Sequence, residues 1–279
     1  MTTKIALLGA GGKMGQRITN NIKDNPAYDI DYVEVSLEGI AALADLGIEV
    51  TQEETALDGA DIVVLAIPDR LIGPICGQIA PRLRSGAIVI GLDPAAGYAG
   101  VLPAREDITY FITHPCHAPV FNDEVEPRAQ RDWFGGVHAK QSIVSALHQG
   151  PEEHYAVGEA LAKEMYGPII RAHRVTTEQM ALLEPALVET LAATCVTVIR
   201  EGMDQVIDMG VPEAAARDFL LGHIRTEIAI VFGEAGFPFS DGALLAIDNA
   251  KDRIFLPTWK ENVFDIDNVK RSVDEITQA

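Results

Sequence analysis

Lys4-Ile5-Ala6-Leu7-Leu8-Gly9-Ala10-Gly11-Gly12-Lys13-Met14-Gly15 is the stretch on which the reading of this chain turns. Ile5 to Leu8 is a short apolar run that reads as a buried parallel strand, and the glycines behind it predict a tight turn into a helix beginning near Lys13. Such a turn needs residues without a Cβ. Bare backbone also lets a pyrophosphate approach the unpaired N–H groups and the positive dipole end of the following helix. Gly9 and Gly11 take the first two places of G-x-G-x-x-G, the third place falls on Met14, and Gly15 stands one residue late. The pattern points to a dinucleotide held by Gly9, Gly11, Gly12, Lys13 and Met14, with a purely structural elbow as the competing reading.

The chain has 279 residues, enough for two domains each with a core. Its 22 basic and 41 acidic residues give a net charge of −19, which excludes nucleic acid and anionic membrane surfaces as natural partners. Hydrophobic content of 48% indicates a globular protein, and the uninterrupted apolar runs are too short to span a bilayer. Cys76, Cys116 and Cys195 are isolated, without a C-x-x-C pair, so a reducing, cytoplasmic compartment is expected.

Beyond the glycine turn, the first helix is expected to end at Asn25-Pro26 and a second strand to cover Tyr32 to Val35. In NAD-binding folds a carboxylate at the tip of that strand holds the ribose 2′-hydroxyl. Here the expected tip residue is Ser36, with Glu34 and Glu38 nearby and no Arg or Lys to neutralise a 2′-phosphate, so NAD is favoured over NADP. Ile62 to Ile67 is a continuous apolar run suited to a parallel strand buried on both faces. Pro68-Asp69 follows it at the strand edge where ligands bind, then a helix from Leu71 to Leu83 and a strand from Ala87 to Ile90. A strand from Thr109 to Thr113 runs into His114-Pro115-Cys116-His117-Ala118-Pro119, a stiff loop well placed for a substrate group or metal ligand. Asn122 to Trp133 reads as a surface excursion. Strands at Lys140 to Leu147 and Ile169 to Val175 flank a helix ending near Met165.

From Thr176 the pattern changes to long helices, Thr177 to Met209 and Pro212 to Phe232, followed by a helical tail with irregular turns. The expected architecture is therefore α/β: an N-terminal Rossmann-like doubly wound sheet over residues 1–175, then an all-helical domain over 176–279 for substrate and dimer contacts. Long apolar helices of this kind predict a homodimer.

His114 is the first candidate for chemistry, and His117 is the weaker one. On the first long helix Glu184 sits among apolar residues next to Pro185, where a carboxylate is costly unless a cation or donor compensates it. His114 and Glu184 would make a sensible pair for Zn²⁺, or with waters for Mg²⁺; the plain alternative for Glu184 is an ion pair on the helix surface. Glu189 is expected to be solvated. On the second helix His223 and Glu227 stand at i and i+4 and share a face, as metal ligands, acid and base, or an ordinary pair, while Arg225 could meet a substrate carboxylate.

Taken together, GAGGKMG, IVVLAIPD, THPCHAP and VTTEQMALLEPALVETLA resemble the phosphogluconate dehydrogenase-like branch of the β-hydroxyacid dehydrogenases. The decarboxylating members of that branch use a lysine on the first interdomain helix as acid and base. No lysine occurs here between Lys163 and Lys251, so another electrophile must replace the ammonium. The resemblance implies NAD-dependent oxidation of a small sugar acid, followed by a migration assisted by a divalent metal on His114 and Glu184, with His223 or another base taking the proton. A plain NAD-dependent hydroxyacid dehydrogenase and a non-catalytic NAD sensor are the alternatives.

Overall fold

The computed structural model describes residues 2–278. Residues up to Leu183, together with those from Lys270 on, form one compact unit, and Glu184–Val269 forms a second.

In the first unit the chain runs β1 (Thr3–Leu8), α1 (Lys13–Ile22), β2 (Tyr28–Val33), α2 (Leu37–Asp45), α3 (Glu53–Leu57), β3 (Ile62–Leu65), α4 (Asp69–Ile79), β4 (Ile88–Gly91), α5 (Ala95–Tyr98), β5 (Thr109–Pro115), β6 (Gln141–Gln149), α6 (Glu153–Met165), β7 (Ile169–Arg174) and α7 (Thr177–Ala181). The seven strands form one sheet in the order β2-β1-β3-β4-β5-β6-β7. All neighbours pair in parallel except β5 and β6, which are antiparallel. After β1 the chain adds β2 on one side and then returns to add β3 on the other. The direction of winding thus reverses between β1 and β3, and a crevice opens beyond their carboxyl ends.

The apolar runs are continuous because both faces of the sheet are covered. Ile5, Leu7, Val64, Ile90 and Phe111 pack on one face with Ile18 and Ile22 of α1, while Ala6, Leu8, Val63, Leu65 and Val89 pack on the other with Ile72, Cys76 and Ile79 of α4. Each fully buried Leu or Ile contributes roughly 1.5–3 kcal/mol by leaving water, so one charge placed in β1 or β3 would cost more than any surface contact could return.

The structure moves several expected boundaries. β2 begins at Tyr28 and ends at Val33, because its ladder with β1 starts at Thr3↔Tyr28 and closes at Leu8↔Val33. Ser36 is therefore not the strand tip; it is the N-cap of α2, its Oγ accepting the Gly39 N–H at 3.1 Å. β5 continues through His114 and Pro115, which pair with Val144 and Ile143 of β6, so His114 is the end of a strand and not part of a free loop.

A capping box starts α7: Thr176 Oγ1 accepts the Gln179 N–H at 3.2 Å and the Thr176 N–H donates to Gln179 Oε1 at 2.9 Å. Helical backbone then continues through a π-helical stretch, Leu182–Ala193, into α8 (Thr194–Asp208). Pro185 has no N–H to give the carbonyl one turn back, and the wider turn accommodates it instead of breaking the helix. The 32 residues Thr177–Asp208 are consequently long and apolar enough to cross a membrane by length and composition, although no single uninterrupted run in the sequence is. The second unit also contains α9 (Glu213–Val231), α10 (Asp241–Ile254) and α11 (Trp259–Phe264), and α12 (Ile266–Gln278) closes the described chain.

Candidate active site

The turn after β1 is built by backbone contact. Gly9 has φ +77°, and a Cβ there would stand 2.3 Å from the carbonyl oxygen of Ala66, just past β3. A Cβ on Gly15 would stand 2.0 Å from the Gly9 oxygen and 2.7 Å from Ala10 Cα. Gly15, one place late in the motif, thus performs the task of the third glycine by letting α1 pack directly on the turn. Gly12 is the N-cap of α1, no side chain bonds the first-turn N–H groups from that position, and no acidic residue sits in the first turn. That helix end suits an anion.

Beside the turn lies a cavity of about 350 Å³ lined by Gly9, Gly12, Glu34, Ser36, Pro68 and Ile75 among others. Its walls come from the ends of β1, β2 and β3, the switch point of the sheet. Glu34, the first residue past β2, turns back over the glycines. It accepts N–H groups from Gly11 at 3.0 Å and from Val35 and Ser36 at 2.8 Å. Burial pushes the Glu34 carboxyl up, but the bonds from Ser36, Val35 and Gly11 outweigh it and hold the group below its usual value. Glu34 is thus ionised at neutral pH at the place where the ribose-binding carboxylate of an NAD fold belongs. Met14 is half-buried and packs against the core, and Lys13 is exposed at the first position of α1.

At the end of β5, His114 Nδ1 is 2.8 Å from the Leu92 carbonyl oxygen. A carbonyl only accepts, so Nδ1 carries the proton and the neutral ring has its lone pair on Nε2, the tautomer that suits a base or a metal ligand. His117 has φ +62°, donates Nδ1–H to the Phe134 carbonyl at 3.0 Å, and lies with its ring centroid 6.1 Å from that of His114.

In the second unit, Glu184 is half-buried within the π-helical stretch, next to buried Pro185 and Ala186, and Glu189 is exposed. His223 is exposed on α9; its Nδ1 donates to the Phe219 carbonyl at 2.7 Å and its ring stacks on Phe219 at 4.1 Å. With Glu227 it lines a largely apolar groove of about 670 Å³ between α8 and α9. Among the described residues no group of three or more His, Cys, Asp and Glu side chains is gathered as a metal site.

The sequence reading missed the work of residues 116–140. The supposed surface excursion is tied to α1: Arg17 Nη2 donates to Asp132 Oδ1 at 2.9 Å and Asn21 Nδ2 to the Gly136 carbonyl at 2.9 Å. The Gly135-Gly136 pair was a readable turn signal, but nothing local says that the turn lands on the cofactor helix.

A glycine turn at a switch point, an ionised carboxylate beyond the second strand and a helix end open to an anion define the dinucleotide-binding class of Rossmann-like folds. A family model described as phosphogluconate dehydrogenase (decarboxylating) C-term matches residues 122–277, and one described as NADP oxidoreductase coenzyme F420-dependent matches residues 4–96. The chain is 52% identical over 278 residues to a D-apionate oxidoisomerase of Cupriavidus necator, covering 99% of this chain and 100% of that protein. It is 49% identical over 276 residues to another of that name from Rhizobium rhizogenes, with 99% and 100% covered. The chain belongs to the D-apionate oxidoisomerase family. A solved Cupriavidus necator structure, described as a semialdehyde dehydrogenase NAD-binding protein in complex with calcium and NAD, superposes with a TM-score of 0.96 at 51% identity, covering 99% of this chain and 100% of that one.

Proposed function

We propose that this chain is an NAD-dependent oxidoisomerase that converts D-apionate to 3-oxo-isoapionate. The observation that carries this reading is the 52% identity, end to end, with a D-apionate oxidoisomerase. The cleft beside Gly9, Gly12 and Glu34 supports the cofactor half, since its glycine backbone and ionised carboxylate fit a pyrophosphate and a ribose diol.

NAD⁺ bound there would accept hydride from the secondary alcohol carbon beside the substrate carboxylate, leaving a 2-keto acid next to a tertiary carbinol. A hydroxymethyl group then migrates from the carbinol carbon to the ketone carbon. Its C–C bond breaks as the new one forms, the carbinol proton leaves, and the former ketone oxygen gains one. His114 Nε2, the ring nitrogen that does not face the Leu92 carbonyl, would take the first alcohol proton when it holds no ion, and His223 is the candidate for the carbinol proton.

A divalent ion, Zn²⁺ or Mg²⁺, is part of the same proposal, with His114 and Glu184 as its protein donors. Held there, the ion would polarise the ketone, and His114 Nε2 would then serve the ion and leave the alcohol proton to His223 or another base. A cofactor domain of 1–175, a helical domain of 176–279 and a homodimer in the cytoplasm complete the reading.

The test is NADH formation from D-apionate, with the product carbon skeleton read by NMR. His114→Ala and Glu184→Gln are each expected to lower kcat by about 10²-fold or more, the scale of lost acid–base or electrostatic assistance. Full turnover in both variants would remove the site assignment, and an unrearranged keto acid as sole product would reduce the enzyme to a plain dehydrogenase.

A further inference from the structure

Phe134 lies where α1 meets the segment that follows β5. The Lys13 ammonium is 4.4 Å from its ring centroid, the Arg17 guanidinium carbon 4.8 Å, and the His117 ring packs edge-on at 4.4 Å. Its own carbonyl receives the His117 Nδ1–H at 3.0 Å. The turn that presents it is built on Asp132, whose Oδ2 accepts the N–H groups of Val137, His138 and Ala139 at 3.1, 2.8 and 3.1 Å and whose Oδ1 holds Arg17. This geometry over-determines the ring position for a segment 25 residues long that lies between two strands.

Two cations held against one aromatic ring repel each other unless something compensates them. Asp132 neutralises Arg17, whereas among the described residues no carboxylate pairs with Lys13. The Lys13 side chain borders a cleft of about 660 Å³ together with Gly11, Gly12 and Ser36, next to the open end of α1. The ring therefore holds a positive charge in reserve beside the backbone N–H groups that would meet a diphosphate.

We propose that Phe134 is a positioning residue for the cofactor: its ring face fixes the Lys13 ammonium over the first turn of α1 for the diphosphate, and its carbonyl fixes His117 beside His114. The inference rests on the NAD reading above. It adds a physical link between the glycine turn and the histidine strand end that runs through residues 116–140.

The experiment is calorimetric titration of NAD into the full-length protein at two ionic strengths, for wild type, Phe134→Leu and Phe134→Tyr, with thermal melting as a check on folding. Phe134→Leu should weaken NAD binding about 5- to 20-fold and flatten its salt dependence, while Phe134→Tyr, which keeps the π face, should stay within about 2-fold of wild type. In steady state the KM for NAD should rise with kcat unchanged. Equal losses in the Leu and Tyr variants, or no loss in the Leu variant, would overturn the proposal. Lys13→Met gives a second arm that leaves the Asp132 turn intact: it should weaken NAD binding about 5-fold or more, and unchanged affinity overturns the proposal. A wild-type protein that takes up no NAD would remove the cofactor reading itself, an outcome visible before any substitution is compared.

Discussion

A methyl group on Gly15 would meet the Gly9 carbonyl oxygen at 2.0 Å, and the obstacle is backbone on both sides, so neither partner can swing away. Gly15→Ala is expected to destabilise the chain by about 2–3 kcal/mol, read as a lower urea midpoint at unchanged slope, because the only relaxation is to lift α1 off β1. An unchanged midpoint would show that helix and strand are not in direct contact there. Gly9 and Gly11 could be matched to a fingerprint from their spacing, but Gly15 was out of register, and only the crossing of α1 over the turn explains why a glycine must stand there. Glu34 illustrates the same limit. It was one of three polar residues near the tip of β2, and the ladder ending at Leu8↔Val33 is what singles it out.

Among the helices, the stretch Leu182–Ala193 carries the information. Pro185 forces the widened turn, and Thr190 Oγ1 donates to the Pro185 carbonyl at 2.6 Å. Restoring an N–H at position 185 should let the α-helical ladder close, with a gain of about 1–3 kcal/mol in stability, since an interior proline costs roughly that much. The same change would rotate Glu184 relative to the residues after it. Pro185→Ala is therefore expected to melt higher while losing about 10-fold or more in kcat; a variant as active as wild type would take the π-helical stretch out of the functional argument. A proline inside an apolar helix was legible in the sequence as a disturbance. Its resolution into wide turns was not, because that depends on which carbonyls the neighbouring residues can still reach.

Across the molecule, the two units differ in how they bury their apolar residues. The sheet unit has a core on each face, whereas the helices of the second leave Val196, Phe219, Phe232, Leu245 and Leu256 between 63% and 73% exposed, with Met203 and Ala216 among the few that are buried. A surface of that kind calls for a cover. Glu213, Arg217, Asp218, Arg225 and Glu227 are interspersed along α9, which argues for a second protein surface over lipid. Analytical ultracentrifugation is expected to give a species at twice the 30.1 kDa of the chain, persisting at sub-micromolar concentration. A monomer that stays soluble with these helices uncovered would contradict the dimer.

Composition and local pattern were enough to establish the alternation of strands and helices, the glycine turn between Gly9 and Gly15 and the change from strands to helices after Thr176, because each is written in residues that lie within a few positions of one another. The antiparallel β6 that extends β5 through His114, the bond from Gly11 that draws Glu34 over the glycine turn, and the docking of Asp132 and Phe134 on α1 arise from partners 23 to 121 residues apart in the chain. Hydrogen bonds and ring contacts over such separations depend on where folding brings the backbone, and no short window of sequence encodes that placement.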